Sequence, residues 1–199
     1  PMNPSIANIH KIRNVIRKKL NAGDVVRLGG ITDCFQPLEL KHRVTYETIK
    51  ELNANNVGYL IVTKSDIVAN DEYIDVMDKN LAHIQVTVTC TDDAFNGKYE
   101  SATPPSKRIK AIEKLQKKGF DVALRLSPYI PQFINTGVLD LDVLNSVECD
   151  KIIVEFLRVN TWIRKWFDID YSEYTYKQSG YQHLSLESKI KYLECITRS

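Results

Sequence analysis

The sequence has 199 residues, of which 43% are hydrophobic and 26% are charged, with eight glycines and seven prolines. This composition is that of a soluble globular protein and excludes disordered, collagen-like and fibrous classes. Lysine and arginine number 27 against 25 aspartate and glutamate residues, so the formal charge of +2 predicts neither nucleic-acid nor membrane binding. Because no apolar run approaches the roughly 18 residues of a membrane span, we expect no membrane partner.

Four cysteines lie far apart in the sequence and form no short metal-ligand spacing. They are Cys34, Cys90, Cys149 and Cys195. Such scattered cysteines predict no metal site within this chain, and they favour a reducing, cytoplasmic location over a secreted disulfide scaffold. Because the sequence begins at Pro1 without a methionine, we expect further residues upstream, and also beyond Ser199.

Taken in chain order, the apolar periodicity predicts helices that alternate with strands. Residues 6–22 have apolar side chains at helical spacing and end before Gly23. The next segment, 24–31, is rich in β-branched residues and closes on two glycines, which is typical of a strand. The later predicted helices begin at Thr45, Asn70, Thr103, Leu141 and Ser185, and the later predicted strands cover 59–65, 83–91, 121–129 and 151–157.

Strands that recur about every thirty residues with helices between them indicate βαβ units, and therefore an α/β fold with a parallel sheet. Alternate residues of several strands are polar, which is unusual for a sheet that is covered on both faces. They are Gln85, Thr87, Thr89, Arg125, Ser127, Lys151 and Glu155. This pattern favours a partial TIM-like barrel whose lumen holds these groups, although single members could also lie at solvated strand ends. We expect Arg125 and Glu155 to pair across the lumen, where an unpaired charge is costly.

In parallel α/β folds, functional groups gather at the carboxyl ends of the strands. The segment 29–39 begins with Gly29 and Gly30, which allow a close approach to a ligand, and Thr32 and Asp33 offer a hydroxyl and a carboxylate. An ordinary glycine turn followed by an aspartate-capped loop explains the same residues. Lys64 ends the next strand, where a lysine either pairs with an anion or extends to solvent.

Other side chains have simpler interpretations. Thr87 and Thr89 are ordinary strand residues by propensity, and Arg108 is expected to lie on a solvated helix surface. The four histidines are isolated, so a structural or exposed position is favoured over a catalytic one. No catalytic residue can be assigned.

The strand-end segments, taken together, resemble the spore photoproduct lyase-like branch of the radical SAM superfamily. The resemblance extends over about residues 6–160, and its segments are GGITDCFQPLE (29–39), IVTKSD (61–66), QVTVTCTDD (85–93), 99–115 and LRLSPYIP (124–131). The segment 159–187 is also similar to the C-terminal region of such proteins. The resemblance implies a partial barrel core, 1–160, followed by an aromatic-rich extension, 161–199, that packs on it.

The resemblance also implies cofactors. In this superfamily S-adenosylmethionine binds a [4Fe-4S] cluster, and its reductive cleavage yields a 5′-deoxyadenosyl radical that abstracts hydrogen from a substrate. The cluster is held by a CxxxCxxC loop after the first strand of the barrel. No such motif occurs here, so we expect that strand and that loop upstream of Pro1. The reductant is expected to be of the flavodoxin or ferredoxin type.

Site residues carried over from the resemblance lie at four strand ends. The resemblance implies that the methionine part of the cofactor meets Gly29, Gly30, Thr32 and Asp33 through its amine and carboxylate. It implies that Lys64 binds the same carboxylate. It also implies that Thr87 lies near the ribose, and that Ser127 and Tyr129 lie near the adenine. It assigns no role to Arg125 or Glu155, which stay possible lumen or substrate residues. Because Gly30 occupies the position of a hydrogen-donating cysteine, the resemblance argues against thymine-dimer lyase activity itself.

Three functions stay open at this point. The first is a radical SAM enzyme with an unidentified substrate, which this chain would complete only together with the cluster segment. The second is a barrel without a cluster that acts as a SAM-binding or scaffold module. The third is a nucleic-acid-processing protein, related to DNA photoproduct repair, whose bases would stack on the aromatic run from Trp162 to Tyr181. That run also has a simpler interpretation, since its rings can pack onto the barrel.

Overall fold

In the computed structural model, which describes residues 5–197, five strands form one parallel sheet. The strands are β1 (Val25–Leu28), β2 (Gly58–Thr63), β3 (Ala82–Val88), β4 (Asp121–Tyr129) and β5 (Ile152–Phe156). Their order in the sheet is their order in the chain, so each strand pairs with the strand that follows it. The predicted α/β fold with a parallel sheet is therefore confirmed.

Nine α-helices accompany the strands over the residues that the structure describes. They are α1 (Ile9–Lys19), α2 (Glu39–His42), α3 (Val44–Ala54), α4 (Asp71–Val76), α5 (Asp93–Tyr99), α6 (Pro105–Lys117), α7 (Gln132–Asn135), α8 (Leu141–Asn145) and α9 (Leu186–Thr197), with 3₁₀ turns at Asp66–Ala69 and Ile163–Lys165. The strand 121–129 is observed with its predicted bounds. Helix α1 is shorter at both ends than the predicted range 6–22. None of these helices is both long enough and apolar enough to cross a membrane.

Side-chain caps explain where several helices begin. The Asn8 side chain accepts hydrogen bonds from the backbone N–H groups of His10 and Lys11 at 3.0 and 3.2 Å, which fixes the start of α1. Asp92 caps α5 in the same way through the backbone N–H groups of Ala94 and Phe95. Pro105 occupies the first turn of α6, where its missing N–H group costs no helical hydrogen bond.

The two faces of the sheet differ in polarity. One face is buried against helices and holds apolar side chains from the three central strands, namely Tyr59, Ile61, Ile84, Val86, Val122, Leu124 and Leu126. Helices α3 and α6 cover this face with Ile49, Leu52, Ile112 and Leu115. The alternate residues form the polar face, on which Thr87 of β3 lies beside Arg125 of β4. The sequence therefore indicated correctly that these polar residues share one side of the sheet.

The C-terminal segment forms a small hairpin from β6 (Tyr176–Gln178) and β7 (Tyr181–His183). Ser179 and Gly180 connect the strands with φ values of 50° and 79°, as a two-residue hairpin turn of the primed type requires. Two backbone hydrogen bonds between Val159 and Gln182, at 2.9 and 2.8 Å, attach the hairpin to the segment after β5. The division into 1–160 and 161–199 stays a prediction.

The loop after β1 passes close to the end of β2. Gly29 has a φ of +81°, and a Cβ atom at this position would lie 2.6 Å from the backbone carbonyl oxygen of Val62. Its neighbour Gly30 has no atom within 4 Å of the corresponding position. Only the first of the two glycines is therefore required by the backbone geometry.

We predict that Gly29→Ala lowers the free energy of unfolding by at least about 1–2 kcal/mol, because the new methyl group meets a carbonyl oxygen and the left-handed backbone conformation disfavours alanine. Gly30→Ala is the matched control and should change it by less than about 0.5 kcal/mol. Chemical denaturation followed by circular dichroism measures both. Equal losses for the two variants would contradict this account of the loop.

Candidate functional site

The carboxyl ends of the five strands lie at one edge of the sheet, and the predicted cofactor residues of the first two strands lie there on two separate segments. Gly29, Gly30, Thr32 and Asp33 occupy the loop after β1, and Lys64 directly follows β2. Gly30 and Thr32 are exposed, whereas Asp33 and Lys64 are half-buried. The loop after β1 lies beside Lys64, because the Asp33 side chain in that loop binds the end of β2.

Asp33 joins the loop after β1 to the end of β2. Its carboxylate accepts hydrogen bonds from the Phe35 backbone N–H group at 2.9 Å, from the Thr63 hydroxyl at 2.8 Å and from the Lys64 backbone N–H group at 2.7 Å. The Thr63 hydroxyl also lies 2.9 Å from the second carboxylate oxygen, so each oxygen of Asp33 already has two donors within hydrogen-bond distance. The structure thus gives Asp33 a definite role in holding the loop, and its contact with a ligand amine stays a prediction.

Lys64 extends toward Glu100, which lies just after α5, and the two side chains form an ion pair. Arg108 of α6 donates a second hydrogen bond to Glu100 at 2.6 Å, so that one carboxylate bridges two cations. Burial raises the pKa of the Glu100 carboxyl, but the hydrogen bond and charge of Lys64, together with Arg108, outweigh it, and the pKa lies below its ordinary value. Glu100 is therefore an anion that fixes the Lys64 ammonium group at this edge.

Arg108 corrects the sequence interpretation, because its side chain is 0% exposed rather than solvated. Its guanidinium group also donates to the backbone carbonyl oxygens of Thr87 and Thr103 and to the side-chain oxygen of Asn96. A buried cation is stable only when it is paired and hydrogen-bonded in this way. Arg108 thus joins the ends of β3, α5 and α6 beneath Lys64.

A sequence signal for Arg108 did exist. Ile112 and Leu115, both fully buried, follow Arg108 at spacings of four and seven residues, which places all three on one helix face. The signal failed because arginine on an apolar face is expected to extend to water. Glu100 carries no comparable signal, since it lies in the connection between two helices.

The polar face contains a second ion pair, between Arg125 of β4 and Glu155 of β5. The Ser127 hydroxyl donates to the same carboxylate at 2.8 Å. Burial raises the pKa of Glu155, but Arg125 and Ser127 outweigh it, so the pKa is lowered and the carboxyl group stays ionised. The pairing expected from the sequence is present, and a substrate role for these residues stays a prediction.

Thr87 and Tyr129 are both buried, but they differ in position. Thr87 lies on the polar face beside Arg125, close to the Arg108 guanidinium group that binds its backbone carbonyl. The Tyr129 ring packs 5.2 Å from the Phe156 ring, and its hydroxyl donates to the backbone carbonyl oxygen of Tyr192 in α9 at 3.5 Å. Burial raises the pKa of Tyr129 to about 12. The ring is thus enclosed between β5 and α9, and its assignment to adenine binding stays a prediction.

The aromatic run from Trp162 to Tyr181 is divided between the core and the surface. Tyr174 is buried, whereas Trp162 and Trp166 are 71% and 57% exposed. The Lys165 ammonium group lies 5.4 Å from the Trp162 ring, and the Arg164 guanidinium group lies 4.7 Å from the Tyr171 ring. Part of the run is therefore buried and part is exposed to solvent, and its packing as a C-terminal extension stays a prediction.

Over residues 5–197, no group of three or more histidine, cysteine, aspartate or glutamate side chains could hold a metal ion. Cys90 is buried and Cys195 is exposed, and neither belongs to such a group. The described residues therefore do not fit a [4Fe-4S] cluster, which needs several cysteine ligands in one place.

Comparison with known proteins identifies solved structures that have a similar fold. No family model matches the chain, and no curated protein matches it. Among solved structures, spore photoproduct lyase complexed with dinucleoside spore photoproduct is similar with a TM-score of 0.64 and 11% identity, over 96% of this chain and 61% of that chain. A domain of pyruvate-formate lyase-activating enzyme from Bacteroides vulgatus gives a TM-score of 0.52 and 13% identity, over 86% and 94% of the two chains.

A third similar structure is native anSMEcpe with bound AdoMet, with a TM-score of 0.54 and 9% identity, over 96% of this chain and 49% of that chain. At such identities the similarity shows the fold alone. The chain spans about three fifths of the length of spore photoproduct lyase, namely 61%. The partial barrel expected from the sequence is therefore confirmed as the fold, which the chain shares with spore photoproduct lyase and with the two other proteins.

We predict that Arg108→Met lowers the free energy of unfolding by about 3–5 kcal/mol, because it leaves Glu100 and two backbone carbonyl groups without their buried partner. Lys107→Met, at the exposed neighbouring position of α6, is the control and should cost less than about 0.5 kcal/mol. Urea denaturation measures both variants. If the two losses were equal, Arg108 would not hold the ends of these elements together.

Proposed function

We propose that this chain is the S-adenosylmethionine-binding core of a radical SAM protein of the spore photoproduct lyase-like branch. The observation that supports this most directly is the position of Lys64, a cation held at the carboxyl edge of a sheet whose fold is that of spore photoproduct lyase. Two of the similar proteins were solved with bound AdoMet, one a variant of spore photoproduct lyase and the other anSMEcpe.

The residues at this edge fit the methionine part of the cofactor. Lys64 supplies a cation for its carboxylate, and the Asp33 carboxylate supplies a negative charge for its ammonium group. Gly30 is exposed and has open space around it, so the ligand can approach the backbone closely. The bound cofactor would supply the carbon radical that abstracts hydrogen from a substrate.

The ion pairs of Glu100 with Lys64 and Arg108 would rearrange when S-adenosylmethionine binds. Lys64 turns its ammonium group from Glu100 toward the ligand carboxylate. Glu100 keeps its hydrogen bond to the buried Arg108, so its charge stays compensated throughout. Thr87, whose backbone carbonyl is bound by the same arginine, would place its hydroxyl group near the ribose. Apart from the Lys64 side chain, the edge is therefore arranged before binding, which reduces the entropic cost of association.

The [4Fe-4S] cluster does not fit the described residues, and we derive no step through it. In our proposal its ligands come from another segment of the complete protein, and a flavodoxin or ferredoxin reduces it. The substrate stays unidentified.

We predict that S-adenosylmethionine binds to the chain and that Lys64→Ala weakens binding at least about tenfold, because a charge-assisted hydrogen bond is lost. Lys110→Ala, at an exposed position of α6, is the matched control and should bind with unchanged affinity. Isothermal titration calorimetry measures all three proteins. Equal affinities of the wild type and Lys64→Ala would remove the assigned carboxylate partner, and no binding to any of them would favour a scaffold role.

A second experiment tests the radical chemistry on the protein at its natural length. Purified without oxygen, it should be brown, contain iron and cleave S-adenosylmethionine after reduction with dithionite. Iron analysis and chromatography of the cleavage products measure this. A colourless protein that stays free of iron after reconstitution would contradict the enzyme proposal and leave a SAM-binding module without a cluster.

Nucleic-acid binding is the second candidate function, and the exposure of Trp162 and Trp166 beside Arg164 and Lys165 favours it. Bases stack on such rings, and neighbouring cations bind the phosphates. One of the similar structures is a complex of spore photoproduct lyase with dinucleoside spore photoproduct. This function requires no contact with Lys64, so Lys64→Ala would leave it intact.

A further inference from the structure

A cavity of about 580 Å³ lies between the ends of β4 and β5, the hairpin strand β7 and helix α9. Its lining residues are Ser127, Pro128, Val154, Glu155, Phe156, Arg158, His183 and Lys189. The volume is within the range of about 300–1,000 Å³ that is usual for small-molecule sites. Of the residues that the resemblance assigns to S-adenosylmethionine, Ser127 alone lines it, and none of those assigned to the methionine part does.

The lining carries more positive than negative charge. Glu155 is its one carboxylate, and that charge is already bound by Arg125 and by the Ser127 hydroxyl. Arg158 and Lys189 have no carboxylate within ion-pair distance over residues 5–197, as the ion pairs of that part of the chain show. Arg158 is exposed and its charge also helps to lower the pKa of Glu155, whereas Lys189 is half-buried, so both cations are accessible to an anionic ligand.

The groups that surround the cavity come from four elements that the fold holds in place. Ser127 belongs to β4, Arg158 follows β5, His183 belongs to β7 and Lys189 lies in the first turn of α9. The hairpin is attached by the hydrogen bonds of Gln182 to the segment after β5. The Arg158 guanidinium group also lies 5.6 Å from the centre of the Tyr181 ring, a distance typical of a cation–π contact.

We propose that this cavity binds the phosphate group of a small ligand. Donors that approach from the segment after β5, from β7 and from α9 suit a tetrahedral anion, which presents oxygen atoms in several directions, better than a planar carboxylate, which a single arginine fork can satisfy. Arg158 and Lys189 bind the phosphate, and His183 supplies a further ring N–H group. The inference does not depend on S-adenosylmethionine binding, because the cavity and Lys64 involve different residues.

The test is a titration of the ¹⁵N-labelled chain with inorganic phosphate at constant ionic strength, followed by two-dimensional NMR without S-adenosylmethionine. Saturable shifts are expected for the backbone amides of Arg158, His183 and Lys189. Lys189→Ala should weaken binding about tenfold, because a charge-assisted contact is lost. Lys191→Ala removes the same charge from the same helix, outside the cavity lining, and should bind phosphate as the wild type does.

Three outcomes would overturn the proposal. The first is a set of shifts that increase linearly without saturation. The second is equal phosphate affinity of Lys189→Ala and Lys191→Ala. The third is acetate binding as tightly as phosphate in a parallel titration, since the cavity would then select a carboxylate. Because neither titration contains the nucleoside cofactor, failure here is distinguishable from failure of the proposed function.

Discussion

Parallel pairing of five strands in chain order is the constraint on which the other features depend. It requires every connection to cross back over the sheet, and the helices in these connections bury one face. It also brings all carboxyl ends to one edge, so side chains that are far apart in the sequence become neighbours. Asp33 and Lys64, from two successive connections, meet there through a hydrogen bond of 2.7 Å.

At two places along this edge, one carboxylate of the chain lies beside two cations. Glu100 is shared by Lys64 and Arg108, and Glu155 is paired with Arg125 near Arg158. In each case a carboxylate of the chain is bound by an arginine, and in our two proposals a nearby cation, Lys64 or Arg158, binds a ligand. The edge is thus suited to anionic groups, although the net charge of the chain is only +2.

Periodicity in the sequence was sufficient to predict the five strands of the sheet, because each strand is a short segment rich in apolar residues with clear boundaries. It also identified the polar face, since alternation along a strand determines which side chains share a side. The hairpin at Tyr176–His183 was missed because strands of three residues carry almost no periodic signal. Arg108 and Glu100 could not be found as a pair, because their contact depends on how α5 and α6 pack, which no local pattern records.

The short hairpin has a consequence for dynamics. An isolated pair of strands is marginally stable in water, and this hairpin relies on its bridge from Val159 to Gln182. It should therefore open locally at a lower free-energy cost than the five-stranded sheet, and its amide hydrogens should exchange sooner. Since His183 lines the cavity and Tyr181 contacts Arg158, a molecule held in the cavity would slow that exchange. Hydrogen exchange in the hairpin would then report occupancy of the cavity.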